Sequence, residues 1–189
     1  MKIIAVIPAR LKSKRLHEKN IRKVWGKPMI LWVIKAALES KYIGNDNLYV
    51  STESSKIKDV VRDYCYVIDR PPELAEDHIW TQPVIDHAIS VVAPDMKDDD
   101  IIIILQANSP GVTRGVIDMC IEKLINEELW QVHTVSSDKA INNGAVHVMR
   151  KKVCGHKGKV NYNGVVVIDL VDVHTEDDLT FLEIRGEPL

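Results

Sequence analysis

The 189-residue chain has only three cysteines, Cys65, Cys120 and Cys154, set far apart and with no C-x-x-C pair. The odd count suits a reducing compartment, and the thiols read as core or surface groups. No apolar stretch is long enough to cross a bilayer, and Pro8 cuts the opening apolar run too short for a signal-peptide core. The expectation is a cytoplasmic protein with no membrane partner. Two phosphate-binding signatures are also missing. There is no G-x-G-x-x-G, which weakens a dinucleotide-binding reading, and no G-x-x-x-x-G-K-[ST]. The segment Gly155-His156-Lys157-Gly158-Lys159 has the residue types of the second motif without its spacing, and reads as a flexible basic loop. Net charge is only −2, so the molecule as a whole is no polyanion binder. Its clustered cations sit in one loop with no aromatic stacking platform beside them, which argues against nucleic acid as a partner. The four tryptophans, Trp25, Trp32, Trp80 and Trp130, are scattered and read as core or oligomer contacts.

What is present is a chain with 46% hydrophobic residues, enough for a packed core in one domain of this length. Apolar runs alternate with amphipathic stretches. Strands are expected at 2–8, 48–51, 66–68, 101–105, 132–135, 145–149 and 165–168. Helices are expected over 28–40 with Pro28 in the first turn, over 54–64 behind Ser54 or Ser55, and over 81–92. Two more follow, over 114–127 capped by Thr113, and from Thr175, where Asp178 completes a capping-box pattern. Residues 69–79 read as a loop around Pro71 and Pro72, and 150–163 as a mobile connection or hairpin. Asp98, Asp99 and Asp100 read as a solvated entry to the strand that follows. This alternation predicts an α/β fold, with helices on both faces of a mostly parallel sheet. Ligands in such sheets bind beyond the carboxyl ends of the strands, so the loops after residues 8, 51, 68, 105 and 169 are the functional candidates.

The first of those loops is densely cationic. Arg10, Lys12, Lys14, Arg15, Lys19, Arg22 and Lys23 follow the first strand with Glu18 as the only acid among them. A polyphosphate chain needs several cations reaching different oxygens, with arginine as a planar fork and lysine as a point charge. Arg10, Ser13, Lys14, Lys19 and Asn20 supply that mix. A solvated basic surface loop is the other reading of the same charges.

Six segments in order resemble the acylneuraminate cytidylyltransferases, which make CMP-sugars from CTP and a sialic-acid-like sugar acid. They are Pro8-Ala9-Arg10-x-x-Ser13-Lys14-Arg15-x-x-x-Lys19-Asn20, Val50-Ser51-Thr52-Glu53, Arg70-Pro71-Pro72-Glu73-Leu74-Ala75, Leu105-Gln106-Ala107-Asn108-Ser109-Pro110, Asn143-Gly144-Ala145, and Asp172-Val173-His174-Thr175-Glu176-Asp177-Asp178-Leu179. The resemblance implies a Rossmann-like nucleotidyltransferase fold, a three-layer α/β/α arrangement with a mostly parallel sheet. It implies that Arg10, Ser13, Lys14, Lys19 and Asn20 hold the CTP phosphates, with Arg70 near the cytosine and Thr81 near the nucleotide. Gln106 and Asn143 face the sugar acid, and Lys14, Lys19 and Asp172 carry the catalysis. Asp172, with His174 beside it, holds magnesium or manganese.

The sequence departs from the family in two places. The family's second acid in a D-x-D pair is His174 here, a softer and neutral ligand. Three readings stay open: magnesium on one carboxylate, a transition ion recruited by His174, or a nucleotide-binding homologue with impaired turnover. The family's dimerisation insertion is also shortened or missing, at about 111–142 of a single 1–189 domain, which weakens the homodimer the family implies. Arg114, Lys139, Lys151 and Lys157 are candidates for the sugar carboxylate on charge alone. Activation of 3-deoxy-octulosonate or another sugar is the alternative within enzymes.

Overall fold

A computed structural model describes residues 1–137, 142–156, 158 and 160–187, with Asn142 described for its backbone alone. Lys139 and Lys157 lie outside the described residues. The centre of the molecule is a seven-stranded sheet built around β1 (Ile3–Pro8), which pairs in parallel with β4 (Leu48–Thr52) and with β6 (Ile101–Leu105). β5 (Tyr66–Asp69) extends one side. On the other side lie β8 (Asn142–Arg150), β7 (Gln131–Val135) and β9 (Asn163–Val167), giving the order β5-β4-β1-β6-β8-β7-β9. β8 runs antiparallel to both β6 and β7, and every other pairing in this sheet is parallel. A two-residue hairpin, β2 (Lys23–Val24) and β3 (Lys27–Pro28), stands apart.

Both faces of the sheet are covered, as the unbroken apolar run of β6 requires. α1 (Met29–Leu38), α2 (Ser55–Val61) and α4 (Arg114–Asn126) bury one face, around Ala5, Ile7, Ile101, Ile103 and Leu105. α3 (Thr81–Val92) buries the other through Ile85, Ala88 and Ile89, against Ile4, Val6, Ile102 and Ile104. A third cluster docks α5 (Glu176–Arg185) on the hairpin and α1, through Val24, Met29, Trp32, Val173, Leu179 and Leu182. The Trp32 indole donates to the Val24 carbonyl and the Trp25 indole to the Leu182 carbonyl, so these two tryptophans tie the cluster together.

Local signals read from the sequence act in different ways. The Ser54 hydroxyl caps α2 by accepting the Ile57 N–H, and Thr175 and Asp178 form a reciprocal capping box on α5. Thr113 occupies the N-cap of α4 without a side-chain cap bond. Asp100 is no solvated acid. It is buried, and its carboxylate accepts the N–H groups of Lys2 and Lys97, which hold it below the usual carboxylate range. Among the described residues between Arg150 and Asn163 the chain forms a short 3-10 turn at Lys151–Val153 and no strand. Burial pushes the Cys65 and Cys120 thiols up to about 12, so both are inert core groups.

On the sheet face away from α4, His133 of β7 and His147 of β8 stand opposite each other with ring centroids 6.0 Å apart. Burial, with a smaller push from His133, lowers His147 to about 4. The folded protein therefore keeps His147 neutral where the unfolded chain protonates it. Its contribution to stability is present above pH 6.5 and is lost as pH falls from 6.5 toward 4, by up to about 3 kcal/mol. Urea unfolding of His147→Gln at pH 7 and pH 4.5 is expected to show a smaller pH-dependent loss than the parent. An equal loss in both proteins refutes this assignment.

Candidate active site

The carboxyl ends of β1, β4, β5 and β6 meet at one edge of the sheet, and the loops leaving β1, β5 and β6 line a cleft of about 200 Å³. The cationic loop supplies Arg10, Lys12, Ser13, Lys19 and Asn20 to its lining. Arg70 comes from the end of β5, Gln106 and Asn108 from the end of β6, and Thr81 from the first turn of α3. Lys14 lies on the outer side of the same loop, in a groove shared with Arg10, Arg15, Lys19 and His174. A second cavity holds Gln106, Asn108, Asn143, Gly144, Asp172 and His174. Gln106 and Asn108 border both cavities, so the two are neighbours.

The cationic loop keeps its shape through groups that are not cations. Asn20 is buried and donates its amide to the Arg10 carbonyl at 2.9 Å. Glu53, just past β4, accepts the Leu11 N–H at 2.9 Å and the Arg70 guanidinium at 2.5 Å. Arg70 also donates to the Ala9 carbonyl at 3.1 Å. Burial disfavours an ionised Glu53, but the hydrogen bonds from Arg70 and Leu11 outweigh it and hold the carboxyl below its usual range. This is a buried pair with further partners, the form in which ion pairing fixes geometry. Arg70 is thus mainly a brace between β1, β4 and β5, and its Nε is buried without a partner among the described residues.

Asp172 and His174 are placed by a clasp. The Asn108 amide donates to the Val173 carbonyl at 3.1 Å, and the Val173 N–H donates to the Asn108 carbonyl at 2.9 Å. The Ser109 hydroxyl donates to the Asp172 carboxylate. Burial raises Asp172 to about 6, against the pull of the Ser109 hydrogen bond and the nearby Lys19 charge. Lys19 is lowered from the usual lysine range by its own burial and by the neighbouring Arg15 and Arg10 charges, while Asp172 acts the other way. His174 Nδ1 lies 3.2 Å from Arg15 Nη2. A guanidinium only donates, so Nδ1 is the acceptor. Burial first, then Lys19 and Arg15, lower His174 and favour the neutral ring.

Of the side chains in this cavity, Asp172 offers the one carboxylate, a hard oxygen donor that could hold a divalent cation. Raised to about 6 by burial, Asp172 still ionises near neutral pH, and a nearby cation would favour its charged form further. No group of three acidic, histidine or cysteine side chains that could hold a metal occurs among the described residues.

The predicted sugar-facing residues differ in what they offer. Gln106 lies at the boundary of the two cavities. The Asn143 side chain is committed to the sheet: its amide donates to the Ile168 carbonyl at 3.0 Å and its oxygen accepts from Thr134 and from the Ala145 N–H. Neither Arg114 nor Lys151 borders these cavities. Sequence reasoning missed Glu53 as the partner of Arg70, Ser109 as the partner of Asp172, and Asp77 altogether. Glu53 and Ser109 each stand inside a quoted motif, whereas Asp77 carried no local signal.

Set against known proteins, the chain shows a clear kinship. The sequence profile of the cytidylyltransferase family matches residues 4–154. The chain belongs to that family. The N-acylneuraminate cytidylyltransferase of Streptococcus agalactiae is 35% identical over 111 residues, 58% of this chain and 26% of that protein. The CMP-N,N'-diacetyllegionaminic acid synthase of Legionella pneumophila is 40% identical over 115 residues, 58% of this chain and 47% of that protein. A 3-deoxy-manno-octulosonate cytidylyltransferase of Hydrogenovibrio crunogenus is 36% identical over 124 residues, 64% of this chain and 46% of that protein. The matched segments thus span between about a quarter and a half of these relatives' lengths. Two solved structures share the fold. A CMP:2-keto-3-deoxy-manno-octonic acid synthetase in complex with CTP has a TM-score of 0.75 at 16% identity, covering 98% of both chains. Mycobacterium tuberculosis Rv0371c in complex with manganese has a TM-score of 0.71 at 16% identity, covering 98% of this chain and all of the other.

One contact bears directly on what the cleft can hold. The Asp77 carboxylate pairs with Arg10 and with Lys14, each at 2.9 Å, and Arg10 also reaches the Ala75 carbonyl at 3.4 Å. These are solvent-accessible pairs, weak and exchangeable. An incoming polyanion competes with Asp77 for the same two cations. Asp77→Asn is expected to bind inorganic tripolyphosphate about fivefold more tightly by calorimetry at low salt, with the gap narrowing at 0.5 M NaCl. Unchanged or weaker binding contradicts that competition.

Proposed function

We propose that this protein transfers CMP from CTP to a nonulosonic sugar acid and releases pyrophosphate. The observation that carries the reading is the cleft itself. Arg10, Lys12, Ser13, Lys19 and Asn20 line it at the carboxyl end of the central strand, and the buried Asp172 carboxylate stands in the adjoining cavity. Family membership and the 35–40% identical relatives named for sialic and legionaminic acids support the substrate class.

In this reading the triphosphate displaces Asp77 from Arg10 and Lys14, and Ser13, Lys19 and Asn20 complete its cradle. Thr81, with the N-terminus of α3, adds polar donors where the nucleoside meets its phosphates. The sugar acid enters the cavity between Gln106 and His174. Its anomeric hydroxyl oxygen bonds to the α-phosphorus, the hydroxyl proton is released, and the bond from the α-phosphorus to the β-bridging oxygen breaks, so pyrophosphate departs. Charge spreads over the phosphoryl oxygens, so catalysis consists of positioning and electrostatic stabilisation by Lys14 and Lys19. A divalent ion held by Asp172 would add Lewis-acid stabilisation of those oxygens. Arg70 acts by holding the loop that carries Arg10, and Asn143 by holding the sheet edge beneath Gly144. In this reading, α4, β7 and the residues joining β7 to β8 stand where the family carries its dimerisation insertion.

Octulosonic acid is the competing substrate, favoured by the 36% identical relative named for it. Pyrophosphate release is to be followed with CTP, with magnesium or manganese, and with nonulosonic and octulosonic acids in separate and competing reactions. Faster release with a nonulosonic acid is expected. Preference for the octulosonic acid assigns the second substrate, and CTP binding without release by any sugar acid leaves a nucleotide-binding homologue. Lys19→Ala is expected to lower kcat/KM by about two to three orders of magnitude, and Asp172→Asn to abolish the metal dependence of the residual rate.

A further inference from the structure

Trp80 is not the core residue that its type suggests. Trp25 and Trp32 meet edge to face, and Trp130 packs on Tyr162 beneath the Lys152 ammonium. Trp80 is 83% exposed, and its indole has no hydrogen bond or ring partner among the described residues. Single exposed apolar side chains are ordinary. The position of this one is not, because Trp80 belongs to the lining of the main cleft.

Most of the apolar part of that lining comes from one segment. The loop after β1 brings Arg10, Lys12 and Lys19, while the segment from β5 into α3 brings Leu74, Ile79, Trp80 and Val84, beside the polar Arg70, Glu76 and Thr81. A nucleotide likewise has two parts, a flat aromatic base and a polyanionic tail. We propose that Trp80 is the stacking surface for the nucleobase. This inference rests on the nucleotide reading of the cleft and adds the residue that engages the base. An indole loses freedom about only two side-chain torsions on stacking, a low entropic cost for a large contact area. Its backbone is already held, since Trp80 is the N-cap residue of α3 in extended conformation. The segment carrying it is tied to the phosphate side of the cleft through Asp77 and the Ala75 carbonyl. Every base offers a π-face, so Trp80 supplies affinity for the base rather than a choice among bases. It is a binding residue, separate from the groups that stabilise the transferring phosphate.

The test separates the base from the tail. CTP and inorganic tripolyphosphate are titrated by calorimetry into the unaltered protein, Trp80→Ala and Trp80→Phe. Trp80→Ala is expected to weaken CTP about tenfold and leave tripolyphosphate unchanged, while Trp80→Phe keeps most of the CTP affinity. CTP is also expected to shield tryptophan emission from acrylamide in the unaltered protein but not in Trp80→Phe. Equal CTP affinity for Trp80→Ala and the unaltered protein, or an equal loss of CTP and tripolyphosphate, overturns the stacking role and leaves the nucleotide reading standing. Failure of the unaltered protein to bind CTP at all overturns the nucleotide reading and the inference with it.

Discussion

The site is organised by a surplus of positive charge at one end of β1. Arg10, Lys12, Lys14, Arg15 and Lys19 fall within ten residues, and Arg70 joins them from β5. Carboxylates answer part of this charge, in two grades. Glu53 answers Arg70 in a buried pair, with side-chain exposures of 17% and 3%, and this pair fixes the loop. Asp77 answers Arg10 and Lys14 where water competes, so those contacts exchange readily. The difference in burial separates the charges that build the cleft from those available to a ligand.

Strand direction explains how distant residues reach this edge. β1, β4, β5 and β6 run in parallel and deliver Arg10, Glu53, Arg70 and Gln106 from their carboxyl ends. β8 runs the other way, so it is the start of this strand, at Asn143 and Gly144, that arrives beside Gln106. Gly144 has φ +69°, and a side chain there would meet the Gln106 Cγ at 3.7 Å. The left-handed backbone, more than the space, explains glycine at this position.

Much of this was legible in the sequence, because the signals were local. β-branched runs, capping residues and Pro71-Pro72 locate strands, helices and the cleft-forming loop within a few residues of their observed bounds. The direction of β8 was not legible, since the alternation in Ala145–Met149 is the same in a parallel or antiparallel strand. Pairings were not legible either. The motifs show neither the pairing of Arg70 with Glu53 nor the hydrogen bond from the Asn143 amide to the Ile168 carbonyl. Asp77 was silent because its meaning lies in two cations more than sixty residues earlier in the chain. Trp80 misled for the opposite reason: residue type alone favours burial, and only tertiary placement leaves the indole at a cavity wall.

The D-x-H segment shows how one substitution redistributes charge. The Asn108–Val173 clasp brings both Asp172 and His174 to the cavity beside Gln106, as alternation along an extended segment requires. Asp172 keeps a carboxylate there, close to Lys19 and hydrogen-bonded by Ser109. His174 takes a different part. With Nδ1 accepting from Arg15, the neutral ring carries its proton on Nε2, so neither nitrogen offers a free lone pair while that contact lasts. Metal ligation by His174 through Nδ1 would cost the Arg15 hydrogen bond. In the proposed reading, a divalent ion would rest on Asp172 rather than on His174. The site is also more positive by one charge than a two-carboxylate version would be, and that extra charge falls on the side of the cleft where Arg10, Lys14 and Lys19 converge.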